Sequence, residues 1–223
     1  MIGTNLFTVQ RLLAAMRSRG YVVAERPFEL NIIAERNNTV RSEKFDDSLH
    51  LIYKDAQSDW VHHEYLVTTD PSAYYIDNPV HSKGYGFIKK GQWVNAYQLG
   101  YHKTRRALVQ IRPITVIRNY DLKGLIKRHT GEEQTGIFGN NIHDMRGNMT
   151  NASAGCVVFG RDEEYRAFLA ACEQHSRLYG NQFTLTLFDW RDARKTFVSA
   201  FVYTAGFAGV ALGSVLAIRQ SRK

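Results

Sequence analysis

Two side chains in this sequence have the types and the spacing for covalent chemistry, Cys156 and His143. Both lie in the segment 136–159, GIFGNNIHDMRGNMTNASAGCVVF. A cysteine sulfur attacks acyl carbon readily as the thiolate, and an imidazole can take its proton and return it to a leaving amine. Cys156 follows a glycine where a polar loop meets the apolar run Val157–Val158–Phe159. That junction can present the sulfur and keep backbone N–H groups close by to stabilise an oxyanion. His143 comes after Ile137 and Phe138, so it is expected at the end of a neighbouring strand, able to hold the sulfur as thiolate. Taken on composition alone, a cysteine among valines equally fits a core residue, and a single histidine a satisfied polar group.

A histidine, a polar loop and then S-x-G-C with aliphatic residues resembles the catalytic signature of the L,D-transpeptidase family of the YkuD type. The resemblance implies that Cys156 is the acylated nucleophile and His143 the base. It makes Gly155 and the Cys156 backbone the oxyanion hole, and Ser153 the serine of the motif. The backbone carbonyl of Asp144 would orient the imidazole. The implied substrate is the peptidoglycan stem peptide, and the implied fold is β-sandwich-like. The segments Thr69–Asp70–Pro71, Gly100–Tyr101–His102–Lys103 and Ala107–Leu108–Val109–Gln110 resemble phage and bacterial relatives of that family, which extends the likeness over roughly 30–189.

The motif departs from the family at defined places. Ala154 stands where S-H-G-C has a second histidine, Val158 stands where an Arg or Asn is usual, and His143 precedes Cys156 by only 13 residues. The resemblance therefore implies acyl chemistry on peptidoglycan more strongly than it implies cross-linking. Residues expected to line the substrate groove are Tyr101, His102, Arg105 and Asn141.

Other residue types carry less. His62, His63, His81 and His102 show no tight ligand spacing with a carboxylate, so neither a metal site nor a cofactor is expected. Cys172 lies on the helical stripe Tyr165, Phe168, Leu169, Cys172, Tyr179 and reads as a small buried hydrophobe. Two cysteines cannot build a disulfide framework. The net charge of +8 and pI near 9.5 attract polyanions. The basic residues are scattered, however, without zinc-finger or RNA-recognition spacing, so no specific nucleic acid is expected.

The elements that must hold the pair are short strands. Runs at 30–34, 49–53, 63–67, 107–111, 114–118 and 183–187 read as strands, punctuated by turns at 70–72, 77–79 and 90–91. Phe183, Leu185 and Leu187 alternate with threonines, as in a half-buried strand. One helix is expected over 162–179, with Gly180 just past its end. The fold expected is mainly β, a β-sandwich or open barrel with peripheral helices, over residues 21–190.

The ends differ from this domain. Residues 1–20 hold an amphipathic helix over 5–19, stopped by Gly20, and its apolar run is too short and too interrupted by arginines for a signal peptide. Residues 191–223 form the third region. Within it, 197–218 carries no charge and, as a helix at ~1.5 Å per residue, is about 33 Å long, close to the hydrocarbon thickness of a bilayer. Three basic residues flank it on each side, so orientation is open. Gly209 and Gly213 form a G-x-x-x-G pair that favours self-association into a homo-oligomer.

Together these features lead to one expectation. The chain is a tail-anchored, single-pass membrane enzyme that works on peptidoglycan through a Cys156 acyl-enzyme. Without an export signal, carriage to the wall in a virus particle is the simplest route, and opening the wall by hydrolysis is the outcome that serves it. Its setting is then a virion membrane or the host envelope. Two alternatives stay open at this stage: a non-catalytic structural or wall-binding virion protein, and a true L,D-transpeptidase.

Overall fold

The computed structural model describes residues 5–37, 45–119, 131–145 and 153–189. The expected membrane segment 197–218 and its Gly209/Gly213 pair lie outside these residues. No helix among the described residues is long and apolar enough to cross a membrane.

Eight strands close into a barrel. In chain order the elements are α1 (Leu6–Arg17), β1 (Asn31–Arg36), β2 (Asp47–Lys54), β3 (Trp60–Thr68), α2 (Ala73–Asp77), β4 (Tyr85–Ile88), β5 (Gly91–His102), β6 (Arg105–Gln110), β7 (Ile114–Asn119), β8 (Glu132–Gly136), β9 (Ile142–Asp144), β10 (Val157–Phe159), α3 (Asp162–Tyr179) and β11 (Phe183–Asp189). The barrel order is β1-β11-β5-β6-β9-β10-β3-β2, with β2 pairing back on β1. A separate three-stranded sheet, β4-β7-β8, lies outside it. The mainly β expectation holds; where a sandwich or an open barrel was expected, pairing of the first and second strands removes the open edge.

Period-two alternation decides what each face meets. Ile32, Ala34, Leu49, Leu51, Leu108, Ile142, Val157, Phe159, Leu185 and Leu187 fall in one core cluster, joined by Tyr165, Phe168 and Cys172 of α3. Cys172 is thus the buried small hydrophobe its helical spacing implied. The opposite faces of β1, β2 and β11 offer Ile33, Ile52 and Phe188 to Val9, Leu12, Leu13 and Met16 of α1. Asn5 caps α1 by accepting the Thr8 N–H at 3.1 Å. Helix α3 has Asp162, Glu163 and Glu164 in its first turn, where they complement the helix dipole, and it ends at Gly180 with φ +91°.

Two of the barrel contacts are parallel, β1 with β11 and β9 with β10. The second sets the site. Its register pairs Ile142 with Val157 and His143 with Val158. Burial of Val157, Val158 and Phe159 holds β10 in place, Phe159 alone contributing about 2–3 kcal/mol.

Candidate active site

Alternation carries the chemistry outward. Ile142 and Val157 face the core, so His143 on β9 and Cys156 at the head of β10 share the other face of the parallel pair. The two residues chosen from the sequence are therefore diagonal neighbours across one strand contact.

Hydrogen bonds fix the imidazole. His143 Nδ1 lies 2.7 Å from the Asp144 carbonyl oxygen. A carbonyl only accepts, so Nδ1 carries the proton, and in the neutral ring the lone pair is on Nε2. This is the orienting contact implied for Asp144, made by its backbone. Its side chain instead pairs with Arg105. His143 is buried, with the ring of His102 stacked on it.

The sulfur is held from the β9 side. Cys156 Sγ accepts the Asn141 N–H at 3.3 Å and approaches the Gly139 carbonyl at 3.5 Å. Burial pushes the thiol up to about 11, and the Asn141 N–H only partly offsets this. The expected resting thiolate is therefore not what the surroundings favour: at neutral pH Cys156 is a thiol. The residue is 8% exposed, through the cleft it lines.

The S-A-G-C turn is tied into one conformation. Ser153 Oγ donates to the Cys156 carbonyl at 2.8 Å and accepts the Gly155 N–H at 3.0 Å. The Ser153 carbonyl accepts both the N–H and the hydroxyl of Ser72. Gly155 has φ +125°, and a Cβ there would lie 2.5 Å from the Gly86 carbonyl oxygen and 2.7 Å from Asn140 Nδ2. Only glycine fits. Its N–H is already used by Ser153, so of the two amides expected to form an oxyanion hole, Gly155 is committed elsewhere and the Cys156 amide is the remaining candidate.

The other expected residues separate. The β5–β6 hairpin turns at Lys103, φ +57°, and pairs His102 with Arg105 on one face. That face brings both to β9. Asn141 Oδ1 accepts the Gln110 N–H at 2.9 Å, so its amide nitrogen is the donor to His102 Nδ1 at 2.9 Å. Both polar atoms of the Asn141 amide thus take part in positioning the β5–β6 hairpin and His102. Tyr101 is not brought in. It points from the opposite face of β5, 64% exposed, with the Arg106 guanidinium over its ring.

Beside the sulfur opens a cleft of about 420 Å³, within the range of small-ligand sites. The small sheet makes its far wall with Tyr85, Gly86, Val116 and Arg118, and Phe138, Gly139 and Asn140 adjoin Cys156. Arg118 is held by the Gly84 carbonyl and Gln134, its guanidinium 5.0 Å above the Phe138 ring. It supplies positive charge to the pocket. Sequence reasoning missed Arg118, and also Asn140 and Gln110. Asn140 donates to the Gly155 carbonyl at 2.6 Å, and Gln110 Oε1 accepts the N–H groups of Phe138 and Asn140. The polar run Asn140–Asn141 was a visible signal for the first; nothing in the sequence marks Arg118.

Compared with family models, curated proteins and solved structures, the chain gives no match in any of the three.

Proposed function

We propose that this chain is a cysteine acyl-transfer enzyme that acts on peptidoglycan stem peptides. The observation that carries the chemistry is the pairing of β9 with β10. It sets an oriented histidine, Nδ1–H on a backbone carbonyl, on the same face as a cysteine that lines a cleft. The substrate class rests on the resemblance of the S-A-G-C segment to L,D-transpeptidases.

In this reading Cys156 rests as a thiol, and His143 Nε2 takes its proton as the sulfur attacks the stem-peptide carbonyl. The Cys156 amide faces the developing oxyanion. The histidine then protonates the departing amine, leaving a thioester. Water resolves the thioester and regenerates the thiol, with the acid as product; an amine acceptor would give a cross-link instead. Hydrolysis is favoured because Ala154 and Val158 replace the polar residues of the cross-linking motif. Arg118 suits a carboxylate of the stem peptide. The residues 197–218 serve as membrane anchor, and carriage by a virus particle gives a hydrolase of this kind its use.

The alternative of a structural or wall-binding protein has one observation in its favour, the thiol pushed up to about 11. Both readings meet in one experiment. Full-length protein in detergent, and its Cys156→Ala variant, are incubated with purified peptidoglycan and the products read by mass spectrometry. New muropeptides that vanish in the variant establish the enzyme, and their masses separate hydrolysis from cross-linking. Identical profiles sink it.

A further inference from the structure

On the outer face of the barrel, at β2 and β3, we propose a binding site for a zinc-type divalent cation formed by His50, His62 and Glu64. The sequence shows only part of it, His62 and Glu64 two residues apart on β3, because His50 comes from the neighbouring strand. The register pairs His50 with Glu64 and Ile52 with His62, and alternation turns all four to the face packed beneath α1. His63 points the other way, its ring against Tyr65.

The ligand atoms of the three residues lie within 4.8 Å of one another. His50 Nδ1 and His62 Nε2 are 3.0 Å apart. Two nitrogens at ~2.0–2.1 Å from one tetrahedral zinc are separated by about 3.3–3.4 Å, so a shift of a few tenths of an ångström suffices. At present the two rings share a proton along that contact. A cation takes its place by a tautomer change, with the proton moving to His50 Nε2 or His62 Nδ1 and no charge lost.

The surroundings are those of a metal-binding histidine. His50 Nε2 faces Glu35 Oε2 at 3.5 Å, and Arg11 holds the Glu35 carboxylate through both its terminal nitrogens at 2.8 and 2.7 Å. A carboxylate on that side favours the tautomer with the proton on Nε2, which turns the Nδ1 lone pair towards the cation. The same carboxylate neutralises Arg11. Ser48 Oγ donates to Glu64 Oε1 at 2.8 Å and orients the third ligand. Two imidazoles and a carboxylate suit zinc. Glu64 is exposed, so solvent can supply a fourth ligand.

His62 is six residues from Thr68, which pairs with Val158 beside the cysteine site, or roughly 20 Å along an extended strand. The two sites are therefore independent. The test is titration of chelator-treated, full-length protein with zinc chloride by calorimetry, and with cobalt(II) by visible absorption. One equivalent is expected at micromolar or tighter affinity, with the d–d bands of a four-coordinate site. Glu64→Gln, at an exposed position that leaves the fold intact, is expected to weaken zinc at least ~10-fold. His62→Gln is expected to abolish binding, and Cys156→Ala to leave it unchanged. No binding, binding indifferent to Glu64→Gln, or a cobalt spectrum with sulfur charge transfer lost in Cys156→Ala would overturn the site; in the first case the pair is simply a hydrogen-bonded histidine stack.

Discussion

His102 lies flat on His143, ring centroids 4.7 Å apart and planes inclined by 15°. The stack fixes the plane of the imidazole, whereas the Asp144 carbonyl fixes its rotation in that plane. If His102 acts by stacking, His102→Phe keeps activity on stem peptides within about threefold and His102→Ala loses roughly 10- to 100-fold in kcat. Equal losses in both variants would mean that the His102 nitrogens matter instead.

The role of Asp144 rests on its main chain, so its side chain is expendable for the chemistry. On the proposed function, Asp144→Asn is expected to cost less than about fivefold in kcat/KM, whereas His143→Ala, which removes the proposed base, is expected to cost on the order of 100-fold or more. A collapse of activity in Asp144→Asn at full folded yield would contradict this assignment.

Cys156 titrates high. With the thiol at about 11 against an ordinary 9.0, the thiolate fraction in the free protein at pH 7 is reduced about 100-fold, two pH units at tenfold each. Alkylation by iodoacetamide should therefore be slow at neutral pH and rise tenfold per unit to beyond pH 9. The linkage has a definite sign. A folded value above the unfolded one contributes stability that is complete below pH 9 and lost as pH rises towards 11. Rapid neutral labelling of Cys156 would reveal a resting ion pair with His143. Cys172, fully buried, should stay unlabelled throughout.

Gly155→Ala places a Cβ against the Gly86 carbonyl and Asn140 at a φ that L-residues rarely adopt. It is expected to destabilise the fold by about 2–4 kcal/mol, read as a lower urea midpoint, and to abolish turnover. A variant with unchanged midpoint and activity would show that the turn can relax.

Arg118 brings a guanidinium to the cleft. Arg118→Gln is expected to raise KM for stem peptides about 10-fold while changing kcat little, because it removes ground-state and transition-state binding alike. A fall confined to kcat would move Arg118 from substrate binding to the chemistry.

Much of the barrel is legible in the sequence where alternation is clean. The run at 49–53 lies within β2, that at 183–187 within β11, and 162–179 coincides with α3. Strand β5 hides because Asn95, at φ +51°, breaks the period of two with a register shift opposite Phe183 and Leu185. Strand β8 hides because it is an exposed partner of β7 alone; Glu132 and Glu133 face solvent and pair with Lys83 and Lys89. The site is legible only as far as local segments reach. His143, Cys156, Ser153 and Gly155 share one stretch of chain. Arg118 and the His50–His62 pair depend on which strands meet, and hydropathy patterns do not encode strand partners.

Strand β11 inserts between β1 and β5, with a consequence for how the molecule is made. The earliest strand cannot complete its pairing until residues 183–189 are available, more than 145 positions further along (183 against 36). Closing so long a loop is entropically costly and slow. During synthesis β1 must wait as an unpaired apolar edge, a template for association between nascent chains. Helix α1, complete earlier and packed on Ile33, covers one face of that waiting strand, so weakening α1 should show first in the yield of soluble chain and only later in the stability of the finished barrel.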